Sequence, residues 1–220
     1  MHTTVVFAGG PEPDPVTLSR MRTRLDGLPY DRSIAADSGL HLAQDLDVHV
    51  DLVIGDLDSV DPSRLDAAVA DGSRVDRHPV DKDATDLELA LDAVLASDAD
   101  RAVLVGSPAG RMDQLLASVT SIAAPRYAPL RPEAWLGDDT VLPVHGERSL
   151  QGRPGQLVSL IPMHGPAVGV RTAGLRWPLD GDTLESGTSR GVSNEFTVES
   201  AHVSVDSGSL VAVIPAEVAS

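Results

Sequence analysis

The sequence predicts a two-domain α/β protein: an N-terminal, mainly parallel sheet with flanking helices over residues 1–138, then an antiparallel β-sandwich over residues 139–220. Three observations predict this. Up to about residue 138, short β-rich runs alternate with segments of helical periodicity, the pattern of βαβ units. After Asp139 the chain becomes short β-branched runs broken by Gly, Pro, Asp and Ser, without a convincing helix. Several Asp- and Gly-rich loops follow predicted strands, at the carboxyl edge of the sheet, where open α/β folds bind their ligands.

In chain order, the first-domain strands are Thr3–Ala8, Ser33–Ala36, Asp51–Ile54, Arg74–His78, Arg101–Val105 and Glu133–Leu136. Asp14-Pro15 and Asp61-Pro62 open helices, because Asp accepts from the free first-turn N–H groups and Pro has no N–H to leave unpaired. Thr85-Asp86-Leu87-Glu88 is a capping box whose helix continues through Leu91, Val94 and Leu95. Arg111–Ala123 is amphipathic, with Leu115, Leu116, Val119 and Ile122 expected inward. The second domain offers strands Gln156–Ile161, Ala167–Thr172, Phe196–Glu199, His202–Val205 and Leu210–Ile214, the last two joined through a turn at Asp206-Ser207-Gly208-Ser209.

Composition narrows the function. There are 33 acidic and 17 basic residues, a net charge of −16, which argues against a protein that grips a nucleic-acid backbone and suits a small cation as partner. Lys82 is the only lysine. Cysteine is absent, which excludes disulfides, thiolate nucleophiles and Cys-type zinc sites. The seven histidines have no metal-ligand spacing. No apolar run is long enough to span a membrane, and Met1–Phe7 enters a strand without a basic lead, so a cytoplasmic protein with no membrane partner is expected.

Three loops carry chemistry. Gly55-Asp56-Leu57-Asp58-Ser59 follows a strand; aspartates two apart in extended chain can turn to one side, and hard oxygen donors suit Mg²⁺. An Asx-type turn with exposed acids accounts for the same residues. Asp81-Lys82-Asp83-Ala84-Thr85-Asp86 meets a helix N-terminus that attracts phosphate; the acids also suit a first turn by themselves, whereas Lys82 gains nothing from the helix dipole and gains from a bound phosphate. Gly106-Ser107-Pro108-Ala109-Gly110-Arg111 opens the next helix, with small residues that let backbone approach a ligand and an Arg fork suited to phosphate; an ordinary strand-to-helix turn reads the same way. It is not a Walker A loop, since no Gly-Lys pair exists.

Ala36-Asp37-Ser38-Gly39, Gly55-Asp56-Leu57-Asp58-Ser59, Asp81-Lys82-Asp83-Ala84-Thr85-Asp86, Gly110-Arg111-Met112-Asp113-Gln114 and Gly191-Val192-Ser193-Asn194-Glu195 together resemble, in order and spacing, the thiamine pyrophosphokinases. The resemblance implies a Rossmann-like kinase domain, a β-sandwich for thiamine binding and dimerisation, and a homodimer whose thiamine site draws on both subunits. It implies Mg²⁺ as cofactor and ATP as co-substrate, with Asp56, Asp58 and Asp86 as metal ligands. Asp37, Lys82, Asp83, Thr85 and Arg111 fall on the ATP and phosphate side, Asp113 near the substrate, and Ser193 and Asn194 at thiamine. Trp177 suits either stacking on the pyrimidine or a place in the core. Two positions depart from the common pattern: Ser38 stands where Gly is frequent, and Gln114 where His is frequent.

The implied reaction moves diphosphate from ATP to the thiamine hydroxyl, releasing AMP. Charge-stabilising groups matter more there than a covalent nucleophile, and Asp113 or Asp37 orients or deprotonates the hydroxyl. A kinase or pyrophosphokinase for another small alcohol, or a non-catalytic nucleotide or thiamine sensor, are the other readings of the same motifs.

Overall fold

A computed structural model describes residues 1–216. They form two compact units: residues 1–118 with 129–138, and residues 119–128 with the described chain from Asp139 onward. The change at Asp138/Asp139 is where the sequence texture alters; residues 119–128, placed by the sequence in the first domain, group with the second.

In the first unit β1 (Thr3–Ala8), β2 (Arg32–Ala36), β3 (Leu52–Gly55), β4 (Arg74–Arg77), β5 (Arg101–Gly106) and β6 (Glu133–Leu136) lie in the order β4-β3-β2-β1-β5-β6. Every pairing is parallel. Between them run α1 (Pro15–Asp26), α2 (Gly39–Asp45), α3 (Pro62–Ala70), α4 (Asp86–Leu95) and α5 (Met112–Ile122), then a 3-10 turn at Pro125–Leu130. The local start signals act as their chemistry requires. Asp14 caps α1 through the N–H groups of Val16 and Thr17, Asp61 caps α3 through those of Ser63 and Arg64, and Thr85 and Glu88 close a reciprocal capping box on α4. The core is β1, β3 and β5 residues such as Val5, Phe7, Val53, Val103 and Val105, packed against Leu40 and Ala43 of α2 and Met21 and Leu25 of α1. Each such large side chain contributes ~1.5–3 kcal/mol by leaving water.

One expected core face fails. In α5 only Ile122 is buried; Leu115 and Val119 are half-covered and Leu116 is 60% exposed. The helical period fixes which residues share a face, not what that face meets.

The second unit is antiparallel: β7 (Asp139–Val144), β8 (Glu147–Gln151), β9 (Leu157–Ala173), β10 (Asp180–Leu184), β11 (Asn194–Glu195), β12 (Ser200–Ser204) and β13 (Ser207–Ile214). Strand β9 pairs with β11 and β13 in its first half and with β10 and β12 in its second. The two strands expected at 156–161 and 167–172 are therefore one. Its ladder with β13 jumps from Met163–Ser209 to Val168–Ser207, leaving residues 164–167 outside the register, with His164 and Gly165 at positive φ. The strand expected at Phe196–Glu199 is corrected. Phe196 makes only an isolated bridge to Leu175, and Thr197 N–H donates to the Gly174 carbonyl. The turn expected at 206–209 is also shorter, because β13 already begins at Ser207. One apolar core, including Leu150, Leu160, Leu184, Phe196 and Leu210, holds the unit together. No helix among the described residues is long and apolar enough to cross a membrane.

The tightest approach to backbone is at Gly39, where a Cβ would lie 2.1 Å from the Phe7 carbonyl oxygen and 2.6 Å from its carbon. Helix α2 rests directly on the β1 backbone, which cannot yield as a side chain can. Gly39→Ala is expected to cost at least ~2 kcal/mol through forced displacement of α2, read by thermal or denaturant unfolding. An unaltered midpoint would contradict this contact.

Candidate active site

The chain leaves β1 toward β2 on one side and returns to β5 on the other, so the loops after β1 and β5 part at the carboxyl edge of the sheet. A cavity of about 520 Å³ opens there, lined among others by Gly9, Asp37, Thr85, Asp86, Ser107 and Arg111. Each loop after β1, β2 and β5 contributes to it, as do the start of α4 and Ser59. Gln114, singled out in the sequence only as a departure, lines it too. The other departure, Ser38, fits because its neighbour has no side chain: a Cβ on Gly9 would lie 2.4 Å from Ser38 Oγ.

At this edge Asp37, Asp56 and Asp58 bring carboxylate oxygens within 4.8 Å of one another. The backbone forces the approach. Asp37 sits at φ 47° with its N–H on the Ile54 carbonyl, Gly55 at φ 146°, and Leu57 at φ 64° with its side chain buried. Burying Leu57 turns its two neighbours out of the core. A Cβ at Gly55 would touch Asp86 Oδ1 at 2.9 Å. The Asx-type turn is present as well: Asp58 N–H donates to Asp56 Oδ1 at 3.2 Å, and Ser59 Oγ–H to Asp58 Oδ1.

Lys82 enters this cluster. Its Nζ donates to Asp56 Oδ2 at 2.8 Å and lies 3.0 Å from Asp86 Oδ1, close in distance but poor in direction, since that oxygen has no hydrogen bond. The hydrogen bond from Lys82 holds the Asp56 carboxyl below its ordinary range. Burial works against the Lys82 charge, but Asp56 and Asp86 outweigh it and its pKa is raised. Asp37 is shifted upward, first by burial and then by the charges of Asp86, Asp56 and Asp58; its Oδ1 is buried without a partner. Thus Asp37, Asp56 and Asp58 share a centre, while Asp86 is tied to Lys82.

These donors fit a hard divalent cation. All are carboxylate oxygens, one of them orphaned, and octahedral Mg²⁺ needs ligands ~3–4 Å apart, within a small side-chain adjustment of what is present.

Of the other expected residues, Thr85 lines the cavity at the N-terminus of α4. Arg111 lines it too, with its guanidinium 2.6 Å from Asp113 and both side chains largely exposed. That contact holds Asp113 below its ordinary range and raises Arg111. Asp83 is exposed and does not line the cavity.

In the second unit Trp177 is 52% exposed, so it is not a core tryptophan, and the Arg176 guanidinium lies 4.8 Å over its ring. Ser193 is exposed at φ 58°. Asn194 is buried: Oδ1 accepts from the Trp177 and Glu195 N–H groups, and Nδ2 donates to the Trp177 carbonyl at 2.8 Å. Its amide fastens the backbone that carries Trp177. No sequence signal reports this pairing across 17 residues.

Asp37 yields a stability prediction. With its pKa raised, ionised Asp37 opposes folding: its favourable contribution holds below the ordinary carboxylate value and is lost as pH rises through the elevated one. Asp37→Asn is therefore expected to stabilise the metal-free protein at pH 7 by about 1 kcal/mol, or roughly 2–4 °C. The gain should vanish below about pH 4. A lower midpoint at pH 7 would show that Asp37 is not under repulsion.

Two family models match the chain: "Thiamin pyrophosphokinase, catalytic domain" over residues 30–131, and "Thiamin pyrophosphokinase, vitamin B1 binding domain" over residues 144–210. "Thiamine pyrophosphokinase 1" of Oryza sativa subsp. japonica is 29% identical over 178 residues, which is 71% of this chain and 63% of that protein. The chain thus spans less than two thirds of that relative's length. Among solved structures, a thiamine pyrophosphokinase from Bacillus subtilis superposes with a TM-score of 0.81 at 21% identity, covering 98% of this chain and all of the other. One from Geobacillus thermodenitrificans gives 0.79 at 23%, covering 100% and 99%, and one from Candida albicans 0.76 at 14%, covering 98% and 89%. At such identities these structures speak to the fold alone. The two family models, which follow each other in order and between them take in most of the sequence, carry the assignment: the chain belongs to the thiamin pyrophosphokinase family.

Proposed function

We propose that the protein transfers the diphosphate group of ATP to the hydroxyl of thiamine, giving thiamine diphosphate and AMP. The observation that carries this reading is the group of Asp37, Asp56 and Asp58 oxygens within 4.8 Å beside a cavity built from phosphate-friendly loops, in a chain of this family. The hydroxyl oxygen attacks the β-phosphorus, the bond from that phosphorus to the α–β bridging oxygen breaks, and its electron pair leaves with AMP. The hydroxyl proton passes to solvent or a carboxylate.

Asp56 and Asp58, with Asp37 or Asp86, would hold Mg²⁺, which would neutralise charge on the phosphate oxygens. Backbone N–H groups of the 106–110 loop and the start of α4 receive phosphate oxygens, and Lys82 and Arg111 supply positive charge. For Arg111 this means exchanging Asp113 for phosphate, an inexpensive move because that pair is exposed. Asp113, freed when Arg111 turns to phosphate, offers a carboxylate acceptor that orients the hydroxyl. Asp37 has the higher proton affinity, but not while it holds a cation. A loose transition state asks more for orientation than for deprotonation. Trp177 offers an exposed ring face for the pyrimidine. The acidic balance of the chain, −16, attracts the thiazolium cation. We further propose a homodimer acting in the cytoplasm.

The direct test is purified protein with thiamine, ATP and Mg²⁺, followed for AMP and thiamine diphosphate. AMP formed with thiamine and not with other small alcohols supports the reading; ADP as product, or no thiamine dependence, contradicts it. Asp56→Asn and Asp58→Asn should each lower turnover by at least ~100-fold with folding intact, since each removes a charged ligand from a solvent-reachable loop. Near-normal Mg²⁺-dependent turnover in either variant would remove that residue from the metal site. Activity per chain should fall on dilution through the dissociation range of a dimer, and a fully active monomer, established by light scattering at assay concentration, would contradict the dimer.

A further inference from the structure

Lys82 is held in an unusual position for a phosphate-binding lysine. It stands just before α4, where the positive end of the helix dipole repels it, yet its side chain is only 14% exposed. What holds it is acidic: Asp56 Oδ2 at 2.8 Å and Asp86 Oδ1 at 3.0 Å, on side chains 12% and 23% exposed, where water screens weakly. Arg77, the nearby cation from β4, reaches Asp56 only at its main-chain carbonyl, 3.0 Å away. Asp56 Oδ1 also accepts from Asp58 N–H, so Lys82 and an incoming cation compete for a carboxylate that is already partly engaged.

We propose that Lys82 is a built-in cation that occupies the metal-binding carboxylates in the free protein, competes with the divalent metal, and leaves only when a polyphosphate offers it other partners. This rests on the functional reading above. An ammonium on a flexible four-carbon stem can swing between carboxylate and phosphate, whereas an Arg fork would lock a carboxylate in a bidentate pair. Metal entering alone must break the contacts of Lys82 with Asp56 and Asp86 and leave the ammonium with nothing in return. Metal entering with a nucleotide gives Lys82 phosphate oxygens in exchange. The two ligands therefore bind with positive coupling, and the coupling is reciprocal. The device also steadies the empty site, because a cation always faces the clustered aspartates.

The test is Mn²⁺ titrated into nucleotide-free protein, with the free ion followed by its electron paramagnetic resonance signal, for wild type, Lys82→Met and Lys82→Arg. Lys82→Met should bind Mn²⁺ alone at least about tenfold more tightly than wild type, because the competing charge is gone. Lys82→Arg should stay within about threefold of wild type, since the positive charge remains. A non-hydrolysable ATP analogue should raise Mn²⁺ affinity in wild type by a larger factor than in Lys82→Met. Circular-dichroism melts control for folding: metal-free Lys82→Met should melt below wild type and regain the difference with Mn²⁺. Lys82→Met that is folded and binds Mn²⁺ no more tightly than wild type would overturn the proposal. That outcome is distinct from failure of the functional reading, which would show as wild-type protein forming no AMP from thiamine, ATP and Mg²⁺.

Discussion

Carboxylates packed close together repel, and the oxygens of Asp37, Asp56 and Asp58 lie within 4.8 Å of one another. Much of the local structure follows from containing that repulsion. Lys82 supplies a positive charge that holds Asp56 and faces Asp86. Asp37 receives no such partner, and burial first, then the neighbouring carboxylates, raise its pKa. The backbone holds the acids where they would not gather by themselves, with Asp37 and Leu57 in the left-handed region and Gly55 beyond the reach of ordinary residues. Strain and unpaired charge at one place, beside a buried apolar core, is how a protein keeps binding capacity in reserve.

The sheet order makes the concentration possible. With β1 central and β2 and β5 on either side, the first-unit loops that bear the motifs leave the same edge of one sheet. The parallel core sets that edge rigidly, and the contact of Gly39 with the β1 backbone fixes the turn carrying Asp37 and Ser38. Residues separated by fifty positions in sequence thus share one cavity without a long flexible loop.

What was legible in the sequence was what short-range chemistry decides. The Asp-Pro helix starts, the capping box at Thr85 and Glu88, and the first-domain strands depend on neighbours within four residues. Gly55–Ser59 and Asp81–Asp86 stood out because acids and one lysine at tight spacing are chemically conspicuous. What depended on distant partners was not legible. Leu116 lies exposed because it is turned about 120° around the helix from Ile122. Leu115 and Val119, nearer that stripe, are only half-covered, since the period does not say how far the packing extends. The single strand β9 read as two, since the break at residues 164–167 lies in its ladder with β13 rather than in its own continuity. Asn194 resembled a ligand contact, and its part in holding the Trp177 segment, a pairing across 17 residues, was not legible. Likewise, spacing could not show that Asp37, from a separate loop, joins Asp56 and Asp58 within 4.8 Å.

The central claim is that the carboxylates at the edge of the parallel sheet hold the metal that serves phosphate transfer. Crystals grown with Mn²⁺ and a non-hydrolysable ATP analogue test it through anomalous scattering. The account predicts a peak at metal–oxygen distance, ~2.0–2.2 Å, from Asp56 and Asp58, joined by Asp37 or Asp86, with analogue phosphate oxygens completing the shell. A bound nucleotide whose metal lies elsewhere, with Asp56 still on Lys82, would contradict it.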